Sequence, residues 1–199
     1  MRTTLRTAGV AVRAMLVFTV LLGVGYMLLI TGIGQLALPA QANGSLVRSA
    51  DGTVVGSSLI GQSFQDADGQ ALPQYFQSRP SAASYDGAAS TGSNLGPEND
   101  DLVASISDGR SAFEALNGPG AIPADAVTSS ASGLDPDISV ANAQRQVARV
   151  AEARGIPVSE VEALVAEHTL PRDLGFLGDP RVNVLELNRA GRPMTRENR

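Results

Sequence analysis

The chain has 199 residues, a formal net charge of −5, one histidine and no cysteine, and all fifteen of its basic residues are arginines. Without cysteine or lysine, this chain has no disulfide, thiolate nucleophile, sulfur-bound zinc, phosphate-loop lysine or Schiff base. A single histidine excludes a multi-histidine metal site, and the mildly acidic balance disfavours nucleic acid as a partner.

The first predicted element is a transmembrane helix over residues 14–34. These residues carry no charge and are apolar on every side. As a helix they span about 31 Å, close to the roughly 30 Å thickness of a bilayer's hydrocarbon core. Arg2, Arg6 and Arg13 precede the helix, so the positive-inside rule predicts that residues 1–13 form a cytoplasmic stub.

A cleaved secretory signal is the alternative interpretation of this stretch. Residues 40–42 (Ala-Gln-Ala) look like a signal-peptidase site. The apolar run is longer than the roughly 7–15 residues of most signal peptides, which favours a permanent anchor. Both interpretations send the rest of the chain across the membrane, as a linker over residues 35–43 and an extracytoplasmic domain over residues 44–189.

The domain begins with short strands and loops. Residues 46–64 contain apolar runs separated by Asp51-Gly52, a typical hairpin signal that predicts two strands. Tyr75 and Phe76 form the densest aromatic spot of the domain. Residues 86–99 are rich in small side chains, which predicts a loop that approaches another part of the backbone closely.

A helix and a second loop follow. Leu102, Ile106, Phe113 and Leu116 recur at helical spacing, which predicts a helix over residues 100–116 with Asn99 as its N-cap. Residues 121–137 form another small-residue loop, and residues 126–128 are predicted to enter it as a short strand.

The next pattern predicts a helical hairpin. Ser139 caps a helix over residues 140–154, and Ser159 with Glu162 resembles a capping box for the following helix. His168 shares the apolar face of that second helix. A packed, hydrogen-bonded histidine is therefore favoured over a ligand or catalytic base.

The last predicted elements complete a mixed α+β domain. Residues 173–178 are turn-like, and residues 181–188 alternate apolar and polar side chains as in a closing strand. Residues 190–199 are expected to form a flexible tail. The predicted fold class is α+β, with one N-terminal transmembrane helix followed by a single extracytoplasmic domain.

No set of residues in the sequence forms a recognisable catalytic site. Asp135 and Asp137 are explained as a helix cap and a first-turn acid. Residues 129–136 are predicted to lead into a helix, so their backbone N–H groups are available to an anion such as phosphate. A turn packed against a partner subunit explains the same residues equally well.

Several motifs occur together and in order, and they are characteristic of one family. They are GQSF at residues 61–64, YFQSRPS at 75–81, ASTGSNLGP at 89–97, VTSSASGLDP at 127–136 and VNVLELN at 182–188. From the apolar helix to about Asn188, the sequence resembles the C subunits of the Kdp potassium-transporting ATPases.

This resemblance implies a single-pass accessory subunit in the bacterial inner membrane, without a catalytic site or cofactor of its own. The implied partners are a P-type ATPase subunit that hydrolyses ATP, a channel-like subunit that selects potassium, a small single-span subunit and membrane lipid. ATP and potassium are handled by the complex. The C subunit is implied to be a catalytic chaperone that raises the ATP affinity of the pump subunit.

The resemblance also implies a nucleotide contact at Ser130, Ser132, Gly133 and Leu134, by analogy with the signature loop of ABC transporters. The predicted topology places these residues away from cytoplasmic ATP. We therefore favour an indirect mechanism, in which the domain caps the potassium entrance of the channel-like subunit. The alternatives are a membrane-anchored scaffold or binding protein unrelated to a pump and, less favoured, a secreted enzyme.

Overall fold

A computed structural model describes residues 2–49 and 51–191, and the chain divides into two compact units, Met1–Ser45 and Leu46–Arg199. The first unit is helical. It contains α1 (Arg2–Phe18), a π-helical segment (Thr19–Gly25), α2 (Tyr26–Ala37) and the short α3 (Pro39–Ala42).

The run Thr3–Ala37 is one continuous helix of 35 residues, long and apolar enough to cross a membrane. None of the residues in its most hydrophobic 18-residue stretch is buried within the protein. At roughly 1.5 Å per residue the helix is about 52 Å long, so it exceeds the hydrocarbon core at both ends. The helix therefore extends into the predicted stub and covers residues 35–37 of the predicted linker.

The helix widens at Thr19–Gly25, where the sequence predicted a regular α-helix. Here the backbone N–H of Tyr26 donates to the carbonyl of Leu21, a spacing of five residues. The wider turn keeps its backbone hydrogen bonds inside the helix, as a segment surrounded by lipid requires. Nothing in the side-chain pattern explains why the widening occurs at this position.

The second unit opens with the predicted hairpin. Strands β1 (Leu46–Arg48) and β2 (Val54–Ser57) pair antiparallel. The turn between them is fixed by Ser49, whose backbone N–H donates to the carbonyl of Thr53 at 2.9 Å. The two short strands expected here are confirmed.

Two helices match their predicted caps. In α4 (Asp100–Asn117), the side chain of Asn99 accepts from the backbone N–H of Asp101. In α5 (Val140–Arg154), the hydroxyl of Ser139 accepts from Asn142, and the following Gly155 adopts the left-handed conformation that ends the helix.

The capping box predicted for α6 (Val158–Glu167) is wrong. Pro157 precedes the helix as its N-cap and no side chain caps it, so Ser159 lies within the first turn. Proline suits this boundary because its fixed φ angle matches the start of a helix. The expectation for His168 is confirmed, because its Nδ1 lies 2.9 Å from the carbonyl of Leu164 on a half-buried face.

The predicted strand at residues 126–128 is also wrong. Residues Ala124–Ala126 form a 3₁₀ turn. The hydroxyl of Thr128 donates to the carbonyl of Ala124 at 2.8 Å, which closes the chain back on itself instead of extending it.

The predicted closing strand is shorter than expected. Strand β5 covers only Arg181–Asn183, and α7 (Val184–Gly191) follows without a linker. The side-chain oxygen of Asn183 accepts from the backbone N–H of Glu186 at 3.1 Å and so caps the helix. Helix α7 includes residues 190 and 191 of the predicted tail, and residues 192–199 lie outside the described residues.

Strand β5 lies at the centre of a three-stranded antiparallel sheet, between β3 (Asp137–Ser139) and β4 (Thr169–Leu170). Helix α5 packs on α6, which gives the predicted helical hairpin. The core is mainly aliphatic. Its fully buried apolar side chains include Phe76, Val150, Val161, Val165, Val182, Leu185 and Leu187.

A segment that belongs to no helix or strand, residues 73–77, turns at its start and then lies against this core. The amide of Asn188 bridges Phe76, accepting from its N–H at 2.8 Å and donating to its carbonyl at 2.9 Å. Gln146 makes the same pair of bonds to Gln77, at 2.7 and 3.1 Å. Side chains of α5 and α7 thus replace the neighbouring strand that this backbone lacks.

Two arginines of α5 bind the same segment. Arg149 donates to the carbonyl of Tyr75 at 2.9 Å, and Arg154 donates to that of Gln74 at 2.7 Å. Burial and, to a smaller extent, the nearby charge of Arg154 lower the pKa of Arg149 to about 10. The arginine stays protonated at neutral pH, so these contacts persist under physiological conditions.

Replacing Gln146 tests the importance of this segment. Gln146→Leu removes both bonds to Gln77 and leaves buried polar groups unpaired. The free energy of unfolding should fall by about 2–3 kcal/mol. Urea denaturation of the full chain in mild detergent, followed by circular dichroism, measures the loss. Gln144→Leu is the matched control, because Gln144 lies exposed on the same helix. Equal losses in both variants would contradict the proposed role of the buried amide.

Candidate functional site

The predicted nucleotide contact lies in a serine loop, residues 129–136, that borders an open cleft of about 650 Å³. Leu59 and Arg79 complete its lining. The structure therefore brings the predicted residues to one place, and it adds an arginine that the sequence analysis did not identify.

The two predicted serines differ in exposure. Ser130 is 1% exposed, and its hydroxyl lies 3.2 Å from that of Ser132. The same hydroxyl accepts from the backbone N–H of Asp135, while the N–H of Ser130 donates to the carbonyl of Pro80 at 2.9 Å. Ser130 is thus a buried structural residue. Ser132 is exposed, and its hydroxyl accepts from the N–H of Leu134 at 3.1 Å.

Gly133 is held at the most crowded position of the loop. Its φ is +69°, and a Cβ there would lie 2.5 Å from the carbonyl oxygen of Thr91 and 2.6 Å from the Cβ of Ala83. Its own carbonyl accepts from the hydroxyl of Ser81 at 2.6 Å. Glycine is required here both for its backbone conformation and for its size.

The serine loop also contacts Gly61, through Leu134, and the loop at residues 86–99. The carbonyl of Leu134 accepts from the N–H of Gly61 at 2.9 Å. The hydroxyl of Ser90 donates to the carbonyl of Ser132 at 2.9 Å. A Cβ on Gly92 would lie 2.6 Å from the carbonyl oxygen of Ala131. The close backbone approach predicted for residues 86–99 is confirmed, and its partner is the serine loop.

Arg79 anchors the cleft. Its guanidinium pairs with Asp135 at 2.9 Å and lies 3.4 Å from the carbonyls of Thr128 and Ser129. The carbonyl of Arg79 accepts from the phenol of Tyr85. Burial raises the pKa of Tyr85 to about 12, so this phenol remains a neutral donor. The arginine therefore organises the loop and is already paired with a carboxylate.

A second charged pair lies beside the first. Asp137 in β3 pairs with Arg181 in β5 at 3.1 Å. Burial and the nearby charge of Asp135 raise the pKa of Asp137 above its ordinary value, despite the arginine. The prediction that Asp135 and Asp137 are a helix cap and a first-turn acid is wrong, because β3 lies between the serine loop and α5.

The N-terminus of α5 is already occupied by a carboxylate. Asp125 accepts from the backbone N–H and the hydroxyl of Ser139, both at 2.8 Å, and from the amide of Asn142 at 3.0 Å. These bonds place a negative charge beside the start of α5, where a second anion would be repelled. The expectation that residues 129–136 lead directly into a helix is wrong, because β3 intervenes. Anion binding by the backbone N–H groups of these residues stays a prediction.

Within residues 2–49 and 51–191, no cluster of three or more histidine, cysteine, aspartate or glutamate side chains is placed to bind a metal ion. The polar groups around the cleft mostly bond to each other. The cleft thus offers a shaped and internally braced surface. Direct nucleotide contact at Ser130, Ser132, Gly133 and Leu134 stays a prediction.

The sequence analysis also missed the residue that holds the serine loop, Arg79, and those that hold residues 76 and 77, Gln146 and Asn188. Arg79, Gln146 and Asn188 act on backbone far away in sequence, so no local pattern marks them. The cap of α7 was detectable, because Asn183 and Glu186 have the three-residue spacing of a capping box.

Comparison with known proteins gives a consistent result. The sequence model of one family, described as KdpC: K⁺-transporting ATPase, c chain, matches residues 8–191. The chain is 57% identical over 182 residues to a potassium-transporting ATPase KdpC subunit of Caulobacter vibrioides, covering 90% of this chain and 89% of the relative.

Two KdpC subunits from other bacteria are similarly close. The one from Gemmatimonas aurantiaca is 54% identical, with 94% of this chain and 90% of the relative covered. The one from Mycobacterium bovis is 50% identical, with 90% and 94% covered.

Replacing Gly133 tests whether the serine loop depends on its crowded packing. Gly133→Ala should destabilise the chain more than Gly69→Ala, by about 1–3 kcal/mol. Both glycines have positive φ angles, but a Cβ on Gly69 would meet no atom within 4 Å. The control thus isolates the steric effect from backbone strain. Thermal unfolding in mild detergent measures the stability of both variants. Equal destabilisation would show that the close approach of Gly133 to Thr91 and Ala83 is unimportant.

Proposed function

The chain belongs to the KdpC family of potassium-transporting ATPase subunits, and we propose that it serves its transporter as a non-catalytic accessory subunit that stabilises assembly. The single observation that supports this role is the bracing of the serine loop. Ser130 and Ser132 bond to each other, and Asp135 pairs with Arg79 outside the loop, so the surface has the fixed shape that suits docking. The alternative hypothesis, a scaffold unrelated to a pump, is disfavoured because the relatives are transporter subunits.

The proposed topology places the N-terminus in the cytoplasm and the domain outside, at the bacterial inner membrane. Arg6 and Arg13 lie on the exposed surface of α1, before the uncharged residues 14–34. Positive charges next to an apolar helix are retained in the cytoplasm. The domain then lies on the side from which potassium enters.

Labelling of sealed cells tests this topology. The chain has no cysteine of its own. We expect a membrane-impermeant maleimide to label Ser107→Cys on α4 in intact cells. The control variant, Thr4→Cys, should react only after the membrane is opened. Both positions are exposed. If Thr4→Cys but not Ser107→Cys were labelled in intact cells, the proposed topology would be overturned. The proposal that the domain caps the potassium entrance would then fail as well.

The proposed site of action is the potassium entrance of the channel-like subunit. Residues 46–191 contain nineteen acidic residues and only nine arginines, so this part of the chain has a net charge of −10. An acidic surface concentrates cations nearby, within a screening length of about 8–10 Å. The negative charge of the domain is therefore suited to covering a cation entrance.

The proposed effect on ATP is indirect. With the serine loop outside, a rise in the ATP affinity of the P-type subunit requires coupling through subunits that span the membrane. Coupling between distant sites in proteins typically changes affinity by about 5- to 150-fold. A direct contact through Ser132 would instead require this loop to lie in the cytoplasm.

Nucleotide binding to the purified transporter tests the chaperone role. The apparent Kd for ATP should be about 5- to 150-fold lower with this chain than without it. Ser132→Trp in intact complexes should leave that Kd unchanged, as should the control Ser111→Trp, which is exposed on α4. A weaker Kd for Ser132→Trp alone, in fully assembled complexes, would favour direct nucleotide contact.

A further inference from the structure

An exposed apolar loop, residues 170–178, projects from the domain between β4 and β5. Leu174 is 83% exposed and Phe176 is 69% exposed. Leu170 and Leu177 are also exposed beside them. Clustered apolar side chains of this size are common at binding surfaces and unusual on surfaces that stay in water.

The loop holds these side chains in a fixed arrangement. Asp173 and Leu177 exchange backbone hydrogen bonds of 3.0 and 2.9 Å, and Gly175 donates to the carbonyl of Arg172. Leu174 has a φ of +54°, a conformation that leucine rarely adopts. Such backbone strain often occurs at functional sites. The strained residue is also the most exposed of the apolar group.

Ion pairs brace the base of the loop. Arg172 pairs with Asp179 at 2.8 Å, and Arg181 lies 3.5 Å from Asp173. Residues 170–181 contain two arginines and two aspartates, although Arg181 also pairs with Asp137, whereas residues 46–191 as a whole carry a net charge of −10. The apolar loop is therefore a neutral, rigid projection on an acidic domain.

We propose that the apolar loop docks into an apolar, non-acidic recess on the extracytoplasmic surface of another protein subunit of the transporter. This proposal rests on the accessory role proposed above. A rigid loop loses little conformational entropy on binding, so its exposed leucine and phenylalanine are suited to act as anchors.

Charge argues against two other possible occupants of this surface, a lipid bilayer and a second copy of the chain. A bilayer with anionic headgroups attracts basic surfaces, whereas residues 46–191 are strongly acidic. The two arginines beside the loop, Arg172 and Arg181, are both paired with aspartates. A second copy of the chain would bring two acidic units together, each with a net charge of −8 over residues 46–199, and their repulsion opposes association. A different protein subunit avoids both penalties.

Cysteine accessibility tests the proposal in the assembled transporter. An uncharged maleimide should label Phe176→Cys in the free chain and about tenfold or more slowly in the complex, because docking buries the position. Val103→Cys is the matched control, since Val103 is apolar and 59% exposed on α4. Its labelling should be equal in both states. Unchanged labelling of Phe176→Cys in the complex would overturn the docking proposal.

Photo-crosslinking identifies the occupant. Phe176 is replaced by p-benzoylphenylalanine, and the products are identified by mass. A crosslink to another transporter subunit supports the proposal. A crosslink to a second copy, or adducts with lipid alone, would overturn it.

Co-purification of the untreated complex distinguishes failure of the docking proposal from failure of the proposed accessory role. If subunits accompany the chain but Phe176→Cys stays accessible, the docking contact fails and the accessory role stands. If no transporter subunit accompanies the wild-type chain, the accessory role itself fails.

Discussion

The fold depends on a backbone segment, residues 73–77, whose hydrogen bonds must be satisfied against the core without a neighbouring strand. Asn188 and Gln146 supply the donors and acceptors for Phe76 and Gln77, and Arg149 binds the carbonyl of Tyr75. An unpaired backbone group buried in the core costs about as much as a lost hydrogen bond or more. These contacts therefore link α5, α7 and the segment into one unit.

The same segment continues into the residues that shape the cleft. Arg79, Pro80 and Ser81 bind the serine loop through a carboxylate, a backbone N–H and a carbonyl. These contacts tie the loop to residues about fifty positions earlier in the chain. This arrangement favours a docking surface of fixed shape. It is less suited to a loop that must close around a small ligand.

Two features of the chain suit a transporter subunit that works beside a membrane. The helix Thr3–Ala37 is apolar throughout its central part, whereas residues 46–191 carry a large negative charge. An acidic domain gains little from an anionic bilayer, so it depends on the helix and on protein contacts for its position. The apolar loop at residues 170–178 is the surface that we propose for such a contact.

The sequence by itself determined the apolar helix, the hairpin, α4, α5 and their caps, because these depend on local periodicity and on neighbouring residues such as Asn99 and Ser139. It also showed the family through ordered motifs. It failed at residues 184–188, where alternating apolar residues fit both a strand and a helix, and the cap by Asn183 decided the outcome. Only the tertiary structure placed Asp125 at the start of α5 and Arg79 beside Asp135. These contacts join residues far apart in the chain, and no local preference encodes them.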